Sequence, residues 1–276
     1  MYSKELLVTN GLPPIFDGAM VQLQTDIITG AKLDSGPDPY TRFIDQGKQF
    51  FVSSKRNQLL GWDKFPQVDI TMGCHHFIDN LIIKHGLSGL QVFEHDYRYY
   101  TRLNPNLLFA RPGSLDPNRP VLISAPVPGY LDLHPEWDNI LAECQEKKIP
   151  IHIDGCWLGA AKDIQIDLAH QAIHSIGLSL SKGLGMGWNR VGLRWSLAAD
   201  EADGICIMNR HCMIPESLVR NGLVAINSMP IDYLWDTYGE NHKEICYALK
   251  LRPTKIIHAA HSIDRSKLYG LSNIIK

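Results

Sequence analysis

The sequence predicts an α/β fold, a three-layer αβα sandwich on a mostly parallel sheet. Three observations predict it. Short apolar runs of the buried-strand kind recur in LSGLQVF, RPVLISAPVPG, IPIHIDG and HSIGLSLSKG. Amphipathic helical stretches alternate with them. Each run ends in polar residues or glycine, where such sheets keep their chemistry.

The elements follow in order. Residues 1–68 are irregular: GLPP, GPDP and KQFFVSSKRNQ suggest loops and short helices. VDITMGCHHFIDNLIIKHG reads as a short extended segment, a Gly turn and a helix through Ile78, Leu81 and Ile82. A strand is expected over 90–93 and a buried one over 121–124, stopped by Pro and Gly. In HPEWDNILAECQEKKI, Trp137, Ile140, Leu141 and Cys144 share one helical face, with Pro135 expected in the first turn. IPIHIDG is another buried strand closed by Asp154, and VGLRWS one more. Beyond residue 200 the pattern turns helical, and LRPTKIIHAAH adds a short strand. The organisation expected is a segment 1–68, a core 69–200, and a mainly helical 201–276 belonging to the same large domain.

With 276 residues, 45% of them hydrophobic, one large domain can bury its core. A formal charge of -2 with mixed signs gives no reason to expect nucleic acid or an anionic membrane as partner. No stretch reaches the roughly 18–20 apolar residues of a membrane helix, and MYSKELLVTNGLPP has no signal-peptide pattern. Six cysteines without a CxxC pair read as reduced, mostly buried thiols, hence a cytoplasmic location.

Lys182 follows the apolar run IGLSL and precedes GLGMGWNR. Lysines are normally solvated. One held in a desolvated pocket loses its proton more readily and becomes a nucleophile toward carbonyls. The plainer reading is a lysine capping a loop. Asp154, at the end of a buried strand, needs a positive or hydrogen-bonding partner; taken alone, it reads better as a cap on the next helix. Gly73 opens a helix, Ser179 lies three residues before Lys182 and Arg190 eight after it. Together they are the small, hydroxyl and guanidinium groups that a phosphate needs. A nucleotide phosphate loop is excluded, because the lysine of SKGLGMG precedes the glycines. A metal-dependent hydrolase could use Cys74, His75, His76, His152 and Asp154, although adjacent His75 and His76 diverge on a helix and the spacing matches no metal motif. Lys255, His258 and His261 read as an ordinary strand-and-loop segment.

The segment SLSKGLGMGWNRVG resembles the fold-type I pyridoxal 5'-phosphate (PLP)-dependent enzymes, in particular the class I/II aminotransferase group. It matches their Ser-x-x-Lys, the Arg eight positions on and the Val-Gly that follows. PIHIDGCW, VLISAPVPG, DITMGCHHFIDNL and VFEHDYRYY resemble further blocks of that family, in its order, over roughly residues 68–195. The resemblance implies PLP as cofactor and a homodimer acting on an amino acid or related amine. Lys182 would form the Schiff base and shuttle the proton, and Asp154 would pair with the pyridinium nitrogen. Tyr97 would stack on the ring. Gly73, Cys74, Ser179 and Arg190 would hold the phosphate, with His75 a possible addition. Trp157 stands where many members have a tyrosine near the ring hydroxyl, but an indole N–H donates only. Ala125 replaces the asparagine of Asn-Pro-x-x-Gly. Tyr40 is a candidate for a tyrosine that reaches a partner subunit's phosphate. The small domain that usually holds the substrate carboxylate is expected to be truncated, and no motif chooses among Arg210, Arg220, Arg252 and Arg265. A decarboxylase, lyase or side-chain replacement enzyme would share the same site, and a catalytically silent relative the same fold.

Overall fold

Two helices precede the first strand. α1 (Gly18–Thr29) starts where the Asp17 carboxylate accepts the Met20 N–H at 2.7 Å. α2 (Pro39–Val52) starts where Asp38 accepts the Thr41 N–H at 3.1 Å, with Pro39 at the first helical position. These 12- and 14-residue helices are longer than the loops and short helices expected before residue 68. The α2 stripe is Phe43, Gly47, Phe50 and Phe51, and the glycine interrupts its apolar periodicity. The structure is a computed structural model and describes Leu7, Val8 and residues 11–276. Most of MYSKELLVTN, in which the sequence shows no signal pattern, lies outside the described residues.

The following elements are β1 (Gln58–Leu60), β2 (Gln67–Thr71), α3 (Gly73–His85), α4 (Tyr99–Leu103), β3 (Val121–Ser124), α5 (Trp137–Glu146), β4 (Ile151–Asp154), β5 (Gln165–Asp167), β6 (Ile173–Ser179) and β7 (Gly192–Ser196). α6 (Gly204–Arg210), α7 (Glu216–Ser228), α8 (Tyr233–Ala248), β8 (Arg252–Pro253), β9 (Ala259–His261) and β10 (Leu268–Gly270) complete the chain. Five strands build the central sheet in the order β2-β7-β6-β4-β3. β3, β4 and β6 pair in parallel, while β7 runs antiparallel to both β6 and β2. Only β7 is therefore reversed, and the sheet is mostly parallel.

Two of the expected elements differ. Residues 90–93 make a single parallel bridge, Gln91 to Val121, because the Leu90 and Val92 carbonyls accept from Arg119 and Ala110 instead. α5 begins at Trp137, so Pro135 lies in the turn before the helix rather than in its first turn.

Helices cover both faces of the sheet. α3 lies on one face through Phe77, Ile78 and Leu81, which pack with Leu90, Tyr100 and Leu122. It approaches so closely that a Cβ at Gly177 would stand 2.6 Å from the Phe77 ring. On the other face Met20, Phe43 and Leu223 join Ile123, Ile153, Ile176 and Leu193 in the main core. Each such side chain stabilises the fold by about 1.5–3 kcal/mol through burial. Among the described residues no helix is long and apolar enough to cross a membrane.

A buried ion cluster ties the reversed strand to its neighbours. Arg194 of β7 bonds Asp69 of β2 at 2.6 Å and Asp203, the N-cap of α6, at 2.9 Å. Asn80 of α3 donates to Asp203 at 2.8 Å. Arg194→Met would leave two buried carboxylates facing each other. Loss of one partner of a buried ion pair typically costs about 3–5 kcal/mol. We expect a destabilisation of that order in urea unfolding; a change below about 1 kcal/mol, the range of exposed pairs, would show that the cluster is not structural.

Candidate active site

The parallel register brings the strand ends together. Ser124 of β3 lies beside Asp154 of β4, and Asp154 beside Gly177 of β6. Beyond this edge opens a cavity of about 1450 Å³. Cys74, His75, Tyr97, Asp154, Trp157, Ser179, Lys182 and Arg190 all line it. Gly73 stands at its edge: a Cβ there would lie 3.5 Å from Ser179 Oγ and 3.8 Å from Arg190 Cβ. All nine residues singled out in the sequence thus meet at one place.

Gly73 has φ +72°, which an L side chain rarely adopts, and it turns β2 into α3. The positive end of this 13-residue helix thereby faces Ser179 and the Arg190 stem. Ser181, which sequence reasoning missed, lies with them: its Oγ is 2.8 Å from Ser179 Oγ, and its N–H donates to Ser179 Oγ at 3.0 Å. A helix start, two hydroxyls and an arginine at the cavity wall are groups of the kind that bind anions.

Lys182 is half-buried beyond the end of β6. Its ammonium lies 4.5 Å from the Trp157 ring centroid and donates to the Leu12 carbonyl at 2.7 Å. Burial first, and Arg190 after it, hold its pKa below the ordinary lysine range, with Cys156 acting the other way. Trp157 also packs edge-on against His258, whose ring is fully buried with no hydrogen-bond partner for either nitrogen among the described residues. Burial pushes His258 down to about 3, so the ring is neutral.

Asp154 is 5% exposed. Its carboxylate accepts the Cys156 N–H at 3.0 Å, which is the turn-capping contact that the plainer reading expects. The groups that act on it are otherwise the Cys74 thiol, Ser124 and a second buried carboxyl, Asp96. Asp154 forms no salt bridge among the described residues, and burial pushes its pKa up to about 6. Tyr97 approaches His75, with its hydroxyl 3.5 Å from Nδ1. The His75 ring also packs against Tyr99, 4.5 Å between centroids.

Other expected residues lie elsewhere. Tyr40 donates to the Ile214 carbonyl of its own chain at 2.8 Å. Arg210 pairs with Glu201, and Arg220 with Glu216 and Asp34, both away from the cavity. Arg252 and Arg265 line it, as do Lys255 and His261 of the segment read as ordinary. The ligand set of the hydrolase reading does not assemble. The group that could jointly hold a metal, among the described residues, is Cys74, Asp154 and Cys156, with no histidine in it. His152 instead meets Ser175 Oγ at 2.8 Å.

The raised Asp154 pKa makes stability depend on pH. A carboxyl whose folded pKa lies above its unfolded value near 4 contributes stability below pH 4 that is lost as pH rises through about 6. Asp154→Asn cannot titrate. In urea unfolding without cofactor, the variant should therefore gain on the parent protein by roughly 2 kcal/mol between pH 4 and pH 7. A difference that stays constant with pH would show that Asp154 is not held by burial.

No known family profile matches the sequence, and no curated protein does. Solved structures do match in fold. An aminotransferase from Mycobacterium tuberculosis superposes with a TM-score of 0.60 at 15% identity, over 93% of this chain and 79% of that one. An alanine aminotransferase from Pyrococcus furiosus gives 0.58 at 14%, over 91% and 73%. A protein described as a PLP-dependent β-cystathionase from Corynebacterium diphtheriae gives 0.57 at 11%, over 94% and 79%. These superpositions show that the chain has an aminotransferase-like fold.

Proposed function

We propose that this chain is a PLP-dependent enzyme acting on the amino group of an amino acid or related amine, most simply an aminotransferase. The observation that carries the reading is the meeting, at one cavity, of a lysine whose pKa burial lowers and a buried carboxylate that forms no salt bridge among the described residues. The donor set fits the cofactor. Lys182 would hold it through its amine, and Asp154 would face the ring nitrogen, whose positive charge relieves the buried carboxylate. Gly73, Cys74, Ser179, Ser181 and Arg190 would hold the phosphate, and Tyr97 and Trp157 would flank the ring.

PLP bound there would supply an electron sink for the carbanion at the substrate's α-carbon. Lys182 Nζ, kept below its usual pKa by burial, is the base that takes the α-proton and the acid that returns one. Nine Lys and Arg residues line the cavity against four Asp and Glu, in a chain of formal charge -2. That excess favours anionic ligands, which suits both a phosphate and a substrate carboxylate. Arg252 and Arg265, the two of the four candidate arginines that line the cavity, would hold the carboxylate. The β-cystathionase likeness supports elimination as a second reading, because a lyase would use the same cofactor residues.

Two outcomes test the reading. Borohydride reduction after incubation with PLP should fix the cofactor's mass on the peptide containing Lys182, and Lys182→Ala should abolish it. Label on another lysine, or on none, would end the proposal. Arg190→Ala should weaken PLP affinity about 10- to 100-fold, the effect of losing a charge-assisted contact, while the thermal melt stays unchanged. An unaltered dissociation constant would remove Arg190 from the phosphate site.

A further inference from the structure

Three donors converge beside the buried end of β4. Cys74 is the second residue of α3 and is buried; Asp154 ends β4; Cys156 follows two residues later and is half-buried at the cavity wall. Their two Sγ atoms and a carboxylate oxygen all lie within 4.8 Å of one another. The strand ends hold this arrangement. Cys74 Sγ lies 3.4 Å from the Gly177 carbonyl of β6, and the Cys156 N–H meets Asp154 Oδ1 at 3.0 Å. All six cysteines are free thiols.

Two thiolates and a carboxylate suit Zn²⁺ or Cd²⁺, whereas Mg²⁺ and Ca²⁺ require oxygen donors. With metal–sulfur distances of about 2.3 Å, tetrahedral donors stand about 3.8 Å apart. The cluster therefore needs to close by about 1 Å at most. Half-buried Cys156, on the loop after β4, has the room to supply that movement. Cys74, Asp154 and Cys156 all line the cavity, so a fourth ligand can come from it.

We propose that this chain binds one thiophilic divalent cation of the Zn²⁺ class through Cys74 Sγ, Cys156 Sγ and the Asp154 carboxylate, and that this cation and PLP exclude each other. Binding releases the two thiol protons to solvent, with no change of oxidation state. The exclusion rests on the proposed PLP site, because both occupants need Asp154; the metal site itself does not rest on it. The cation would thus hold the unloaded site in a form closed to the cofactor.

The probe is Cd²⁺, titrated into the full reduced chain and followed by its thiolate charge-transfer absorbance. We expect one tight equivalent, retained in Cys212→Ser, which removes the exposed thiol. Cys156→Ser and Cys156→Ala should each weaken binding on the order of 100-fold or more, since even an outer-shell loss costs 10- to 100-fold. Thermal melts of both variants should match the parent protein. Unchanged Cd²⁺ affinity in both Cys156 variants, or its loss in Cys212→Ser, would overturn the site. Protein with PLP fixed at Lys182 by borohydride should take up no Cd²⁺ at this position; equal uptake would overturn the exclusion. A chain that binds Cd²⁺ through Cys156 but never takes up PLP would overturn the proposed function and the exclusion, and leave the metal site standing.

Discussion

The register of three parallel strands is the constraint on which the rest of the structure depends. Ser124, Asp154 and Gly177 are cross-strand neighbours, so β3, β4 and β6 reach one edge together. A one-residue slip of β4 would turn Asp154 into the opposite layer and bring an isoleucine to the edge. The turns beyond this edge then inherit their positions. Lys182 follows β6 by three residues, and Arg190 precedes β7 by two. Reversal of β7 is what returns the chain to Ser179, whose pairing partner is Gly192. The two sides of the anion-binding arrangement thus come from a single excursion between antiparallel strands.

Burial then sets the chemistry of what the register assembles. The same low-dielectric environment favours a neutral amine at Lys182 and a protonated carboxyl at Asp154. Each has its pKa moved toward neutrality, which is the condition of groups poised to exchange protons or to accept a charged partner. The β4 end concentrates this tension further, since Cys74 and Asp96 are buried beside Asp154. A cation relieves all of it at once. A ring nitrogen and a thiophilic metal ion are two chemically different answers to the same local electrostatics, which is why one cluster supports both inferences.

The Arg194 cluster does a separate job toward the β2 edge of the sheet. Its guanidinium bridges carboxylates from β2 and the start of α6, and Asn80 adds α3. It holds the reversed strand and the helix on its face in fixed relation. α3 supplies Gly73 and Cys74 to the site, so this remote cluster bears on the position of the helix start. Packing of Phe77 against Gly177 fixes the same helix from the middle.

Much of the site was readable in the sequence because its parts are local. A strand end, a Gly turn and the Ser-x-x-Lys spacing are each defined within a few residues, and the family resemblance carried by such blocks implied the grouping of Gly73, Tyr97, Asp154, Ser179, Lys182 and Arg190, which all stand at one cavity. The alternation of strands and helices determined the three layers in the same way. What only the tertiary structure decided are meetings between residues far apart in the chain. Cys74 and Cys156 are separated by 82 positions in sequence and share a point in space only through the register of the sheet. That Arg252 and Arg265 line the cavity while Arg210 and Arg220 do not depends on where β8 to β10 lie. The sequence does not link Asp69 to Arg194, because their pairing requires an antiparallel β7. Periodicity reports which face a residue occupies, whereas long-range pairing depends on burial and charge compensation that arise only when the strands are side by side.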